Sequence, residues 1–221
     1  SDVITRLVGE HSLTADVQST TFQNSELVQY YCTDWDFLVG RSDANGLLVV
    51  VTDGHVTVKE PATAAAPSLT VSYGNDLLSF QAELDASSQY AEVQAVSWDM
   101  NNQSVQTSTE AAPAALDSGG DLTSAKLADV LGQPCYRLQT SASLTKEELT
   151  QWAKAQQMKS SLARKCGHVR FQGNAKAVVS GLIELQGLDI QAGLTEGLGL
   201  RAEDEQLEGG GLLLRIEVAQ P

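Results

Sequence analysis

Asp53-Gly54 stands between two β-rich runs, in "LLVVVTDGHVTVKE" from Leu47 to Glu60. This dipeptide constrains the fold more than any other feature. A tight hairpin turn needs positive φ at its central residues, and Asp-Gly supplies it at little steric cost. The residues before it form a second local signal. Thr33 followed three residues later by Asp36 is an acidic variant of the capping box, and Asp34 and Asp36 suit the positive end of a helix. The spacing predicts a helix from Asp34 to about Asn45, with Trp35, Leu38 and Ser42 on one stripe and Gly46 ending it in the left-handed conformation. Upstream, "DVITRLVGEHSL" repeats apolar residues at Val3, Ile4, Leu7 and Val8, which predicts a helix with Asp2 as its N-cap, and "ADVQST" reads as a short strand. Residues 1–61 therefore read as a small α/β module of helix, strand, helix and β-hairpin.

"PATAAAP", Pro61 to Pro67, is the clearest boundary. A β-rich segment follows. In "LLSFQAELD" Leu78, Phe80, Ala82 and Leu84 alternate with polar residues, and in "AEVQAVSWDM" Val93, Ala95 and Ser97 share one side, with Val96 and Trp98 out of phase. Such alternation predicts strands buried on one face. After a polar stretch, Thr123 caps "SAKLADVLG", and Thr145 with Glu148 forms a capping box for "KEELTQWAKAQQMKSSLARKC", with Gly167 just past its end. "HVRFQGNAKAVVSGLIELQGL" then reads as a strand, a Gly-Asn turn and two short strands; "DIQAGLTEGLGLRAEDEQLEGGG" as an acidic, glycine-rich loop; and "GLLLRIEVAQ" as a last strand. The expected fold class is α+β: the module 1–61, then an antiparallel β-barrel over 67–221, interrupted by a mostly helical insertion at about 101–166.

The chain has 221 residues and a net charge of −14, from 14 basic and 28 acidic side chains. That balance argues against nucleic acid and anionic lipid as partners, since binding either requires cations to meet phosphates. The start lacks the basic and apolar regions of a signal peptide, and no apolar run approaches the length of a membrane span. No membrane anchor is expected. Position 1 is not Met, so the chain reads as a fragment of a longer protein. Cys32, Cys135 and Cys166 are odd in number and widely spaced, which points to free thiols in a reducing compartment.

Few residues invite a chemical reading. His11, His55 and His168 sit in separate segments, without metal-ligand spacing to one another or to a cysteine. Cys32 lies just before a helix N-terminus, where a thiolate is favoured, but a small apolar role suits it better. Asp34, Asp36, Asp43 and Asp53 raise the question of a cation site. Asp43-Ala44-Asn45-Gly46 matches only the end of an EF-hand loop, and capping and turn formation explain these acids without a metal. Gly197-Leu198-Gly199 lacks the third glycine and the setting of a phosphate loop, and no G-x-S-x-G occurs. The expectation is no catalytic residue, no metal and no cofactor, with the aromatic side chains around Trp35 belonging to a core.

Two stretches resemble one known family. "LVQYYCTDWDFLVGRSDANGLLVVVTDGHVTVKEP" is similar to the middle of VgrG-like spike proteins and of the phage late control gene D family, where a helix of this kind precedes such a hairpin. "LTKEELTQWAKAQQMKSSLARKCGHVRFQGNAKAVVSGLIELQGL" resembles a second block, in which a long helix leads into a "VRFQGNAK" strand, most like the spike proteins of extracellular contractile injection systems. Together they cover roughly a third of the chain. The resemblance implies a non-enzymatic structural hub: three copies joining a six-fold tail tube to a three-fold spike, made in the cytoplasm and assembled into a phage-tail-like particle or secretion apparatus. Its partners would be copies of itself and tube and baseplate proteins. Cargo effectors would be further candidates. The family's first tube domain and its spike are not in this sequence, so trimerisation of this chain alone is expected to be weak or nil. Val179-Ser180-Gly181-Leu182 also departs from the family's proline-containing turn. Two alternatives are a binding module that docks an effector or tape-measure protein through the polar stretch around Ala111 to Gly120, and an envelope-degrading hydrolase, which needs a carboxylate pair or metal site.

Overall fold

The structure is a computed structural model that describes residues 1–20, 22–23, 27–63, 65–112 and 123–187. It is mixed α/β. The described residues form four helices and ten strands in several small sheets, none of them closed into a barrel. They fall into two compact units. One comprises 1–61, 86–112 and 123–164; the other comprises 62–85 and 165–187.

In the first unit, α1 (Asp2–Glu10) leads to β1 (Thr14–Val17), and α2 (Asp34–Ala44) to β2 (Leu48–Thr52) and β3 (His55–Lys59). The hairpin forms where Asp-Gly predicts it, with Asp53 at φ 48° and Gly54 at φ 78°. Strand β3 is central, antiparallel to β2 and parallel to β1. Its Val56 and Val58 are almost fully buried and pack with Ile4 and Val8 of α1, Leu38 of α2, and Leu47. Thr33 caps α2 by accepting the Asp36 amide hydrogen, and Asn45 and Gly46 end the helix, Gly46 at φ 72°. The N-cap of α1 is Ser1, with Asp2 inside the first turn instead of at the expected cap.

The same unit contains β6 (Glu92–Asp99), β7 (Ser104–Thr107), α3 (Ser124–Leu131), β8 (Cys135–Thr140) and α4 (Lys146–Ala163). Strand β6 runs antiparallel to β7 and parallel to β8. Its Val93 and Ala95 face Leu149 and Ala153 of α4, joined by Ala111. Strand β7 has no apolar alternation and β8 only the short Tyr136, Leu138 alternation; both lie in stretches read as polar loop and helical insertion, and β6 recruits them by backbone pairing. The capping box of α4 is complete: Thr145 accepts from the Glu148 amide, and Glu148 accepts from that of Thr145. The helix stops at Arg164 without a left-handed turn, and Gly167 lies within the next strand instead of capping the helix.

Helix α4 also meets α2. Gln151 donates to the Asn45 carbonyl at 3.0 Å, and Lys159 pairs with Asp43. Further along, α4 grips the chain before β6. Gln89 donates to the Ser160 carbonyl (2.7 Å), Ser160 to the Ser88 carbonyl (2.6 Å), and Gln157 to the Tyr90 carbonyl (3.2 Å).

In the second unit β4 (Leu69–Ser72) pairs in parallel with β10 (Ile183–Gln186), and β5 (Leu77–Leu84) antiparallel with β9 (Lys165–Phe171). Leu69, Val71 and Ile183 form its small core. Phe80, Ala82 and Leu84 take the expected half-buried positions, and the phase breaks only at Leu78, which is exposed while Leu77 turns toward the core, because an extra residue switches faces at a bulge. Of the two short strands expected after the Gly-Asn turn, one forms, β10. The expected acidic loop and the last strand, "GLLLRIEVAQ", lie outside the described residues.

Candidate functional site

The residues singled out by the sequence do not converge on one centre. His11, at the C-cap of α1, reaches Asp34 at the start of α2, with Nε2 2.9 Å from Oδ2. Asp34 also accepts from Gln29 Nε2 at 2.8 Å, and the same amide donates to the Cys32 carbonyl at 3.0 Å. These hydrogen bonds, first from Gln29 and then from His11, hold the Asp34 carboxyl below its ordinary range. His55 makes a different contact, Nδ1 to Thr14 Oγ1 at 2.7 Å, across the β1–β3 pair. His168 lies exposed on β9 opposite Gln81.

The acids have local tasks. Asp36 accepts from the Thr33 hydroxyl, Asp43 pairs with Lys159, and Asp53 makes the hairpin turn. Asp99, not anticipated from the sequence, organises the β6–β7 turn. It accepts from the Asn102 side chain at 2.8 Å and from the Asn101 and Asn102 backbone amides, which lowers its carboxyl as well. Cys32 and Cys135 are exposed and Cys166 is half-buried. Partial desolvation of the Cys135 sulfur, with Glu92 beside it, pushes that thiol up and disfavours the thiolate. Among the described residues no three His, Cys, Asp or Glu side chains are grouped to hold a metal ion. Gly197 and Gly199 lie outside them, as does most of the polar stretch from Ala111 to Gly120.

The aromatic residues of this region are not core. Trp35 is half-exposed and Tyr30 almost wholly so, while the α2 positions turned inward are Leu38 and Ser42. The helix is too short and too polar to bury two stripes, and the β3 face accepts only one. What the segment 27–39 presents is a surface: Val28, Tyr30, Tyr31, Trp35 and Val39 stand in solvent, clipped to the fold by Gln29, Asp34 and His11. This arrangement can hold another surface.

A family model described as the Alg8 N-terminal domain matches residues 1–191. The chain belongs to the Alg8 N-terminal domain family. A search of curated proteins finds no match. Among solved structures, the Alg8-type chain is similar to a 43 kDa tail protein of prophage MuSo2 from Shewanella oneidensis, with a TM-score of 0.56 and 9% identity over 82% of this chain. It is also similar to a tail protein from Neisseria meningitidis MC58, with a TM-score of 0.57 and 13% identity over 83% of this chain. At such identities the likeness is one of fold. This chain spans about half of each, 55% of their length. No helix among the described residues is long and apolar enough to cross a membrane.

Proposed function

We propose that this Alg8 N-terminal domain is a structural part of a phage-tail-like contractile apparatus, acting at the hub where tube meets spike. One observation carries the proposal: a backbone fold shared over more than four-fifths of the chain with two tail proteins of different bacteria. The VgrG-like and late control gene D character of Leu27–Pro61 and of the α4–β9 region refines it from tail protein to hub. In this role the protein transforms nothing. It is made in the cytoplasm, joins copies of itself and the neighbouring tube and baseplate proteins, and transmits force during contraction. Paired strands suit that load, since shear along a ladder is resisted by many hydrogen bonds at once. Closure of a barrel in the assembled protein, with segments beyond the described residues, would also remove exposed strand edges.

The test is to purify particles from cells that encode the full-length protein and locate it by cryo-electron microscopy. The expected result is density for the chain at the junction of tube and spike, in three copies, and loss of intact particles when its gene is deleted. Particles that lack the chain, or hydrolysis of envelope glycan or peptide by the purified protein, would overturn the proposal.

A further inference from the structure

We infer that Asn45 is a modification site, where the side-chain amide is lost by attack of the Gly46 nitrogen, and that the contact between α2 and α4 controls when the reaction can occur. The inference stands apart from the proposed function and concerns the lifetime of the fold.

The sequence supplies the chemistry. Asn45-Gly46 is the only Asn-Gly pair in the chain. Glycine has no side chain to shield its nitrogen, so that nitrogen can reach the side-chain carbonyl carbon of a preceding asparagine. The Gly46 N–H gives its proton to water, and the nitrogen bonds to Asn45 Cγ. The Cγ–Nδ2 bond breaks, and Nδ2 leaves as ammonia with a proton taken back from water. A five-membered succinimide remains. Water opens it on either side, leaving aspartate or isoaspartate at position 45. Only water is consumed, and nothing is oxidised or reduced.

The fold holds this reaction off in three ways. Asn45 caps α2 with ψ 1°, which eclipses the Gly46 nitrogen with the Asn45 backbone nitrogen and turns it away from Cβ, whereas ring closure must eclipse it with Cβ. Both reacting groups are engaged: the Gly46 N–H donates to the Asp43 carbonyl at 3.1 Å, and Asn45 Nδ2 to the Arg41 carbonyl at 2.7 Å. Asn45 is also buried, and its Oδ1 has no hydrogen-bond partner among the described residues. No donor there awaits the negative charge that gathers on this oxygen as the nitrogen adds.

Helix α4 keeps these restraints in place. Gln151 donates to the Asn45 carbonyl and so fixes ψ, Ala155 sits against Gly46, and Lys159 pairs with Asp43. The three are spaced four apart and share one stripe of α4. The end of α2 must lift from that stripe before the ring can close. Return is then disfavoured. An aspartate carboxylate at position 45 has no hydrogen to donate to the Arg41 carbonyl, and it places a buried negative charge at the negative end of α2, beside Asp43. Isoaspartate also lengthens the main chain by a carbon where the cap turns. The modification is therefore one-way: it converts a transient opening into a lasting one.

The test is peptide mass spectrometry on the 221-residue chain after incubation at mildly alkaline pH, both folded and in urea. Cleavage after Arg41 and Lys59 releases a peptide whose one side-chain amide is that of Asn45, so conversion of amide to acid is assigned to it. The unfolded chain should convert, and the folded chain should convert at least about tenfold more slowly, because the reaction waits on local opening. Gln151→Ala should speed conversion of the folded chain severalfold, whereas Gln103→Ser, in the exposed β6–β7 turn, should leave it unchanged. Circular dichroism establishes that each variant is folded. Asn45→Asp should have a lower urea midpoint than Asn45→Ala, because the added charge, and not only the lost donor, opposes the cap. An unfolded chain that keeps its amide, a folded chain that converts as fast as the unfolded one, or a Gln151→Ala chain that converts at the wild-type rate overturns the inference. Asn45→Asp as stable as Asn45→Ala overturns its one-way character.

Discussion

Gly46 lies so close to Ala155 that a Cβ on the glycine would stand 3.1 Å from the Ala155 Cα and 3.2 Å from its Cβ. This contact ties the end of α2 to the middle of α4. Gly46 meets two demands at once: it takes φ 72° to end the helix, and it lets α4 approach without a side chain between them. Gly46→Ala violates both, adding left-handed strain to a clash with backbone that cannot swing away. A loss of about 2–4 kcal/mol is expected from the two effects together, read as a lower urea midpoint with unchanged slope. A variant as stable as wild type would show that α2 and α4 are not in this contact in solution.

Gln89 is fully buried, and its side-chain amide donates to the Ser160 carbonyl inside α4. Ser160 and Gln157 hold the backbone on either side of it, at Ser88 and Tyr90. The three bonds fix the entry into β6, the strand on which both β7 and β8 pair. Gln89→Ala removes a donor from this set and leaves a cavity, so a cost of about 2–4 kcal/mol is expected. Gln103→Ser, in the exposed β6–β7 turn, should cost little. Equal losses for Gln89→Ala and Gln103→Ser would refute the clamp.

What could be foreseen divides along a physical line. Most features encoded within a few residues are legible: the Thr33, Thr123 and Thr145 caps, the Asp53-Gly54 turn and the left-handed Gly46 stand where local chemistry puts them, although Ser1 caps α1 in place of Asp2 and Gly167 lies in a strand. Features that depend on a remote partner are not. Leu69 pairs with Ile183, more than a hundred residues away, and nothing near either residue specifies a parallel neighbour. Strand β7 carries no alternation to announce it, and in β8 only Tyr136 and Leu138 alternate, too short a pattern to mark a strand. The candidate surface was half legible. The aromatic residues around Trp35 are visible in the sequence, but aromatic residues are normally assigned to a core, and only the structure shows that Leu38 and Ser42 take the inward positions.

Thr145 and Glu148 close a reciprocal cap on the longest helix, Thr145 Oγ1 accepting from the Glu148 amide at 3.2 Å and Glu148 Oε2 from the Thr145 amide at 2.9 Å. Thr145→Ala frees one amide and should cost about 1 kcal/mol; Thr145→Ser, which keeps the oxygen, should cost a few tenths. Thermal denaturation of both variants checks the order. An Ala variant that melts with wild type, and above Ser, would contradict it.

Asp34 sets the acid behaviour of the clip between α1, α2 and the tyrosine segment. Its folded carboxyl is held below the ordinary carboxylate value by Gln29 and His11, so the folded state favours the ionised form. The sign follows from linkage. Above the unfolded value, near pH 4, the contribution of Asp34 to stability is fully present; it falls away as pH drops through the lower folded value, where the carboxylate takes up a proton. Asp34→Asn cannot titrate, so the stability difference between wild type and variant should narrow as pH falls below about pH 4. Urea denaturation at stepped pH reads this difference, and the carboxyl carbon shift of Asp34 followed by NMR should show a midpoint below that of an unstructured aspartate. A midpoint at or above the unstructured value, or a difference that widens in acid, would mean that Gln29 and His11 do not hold this carboxylate in solution.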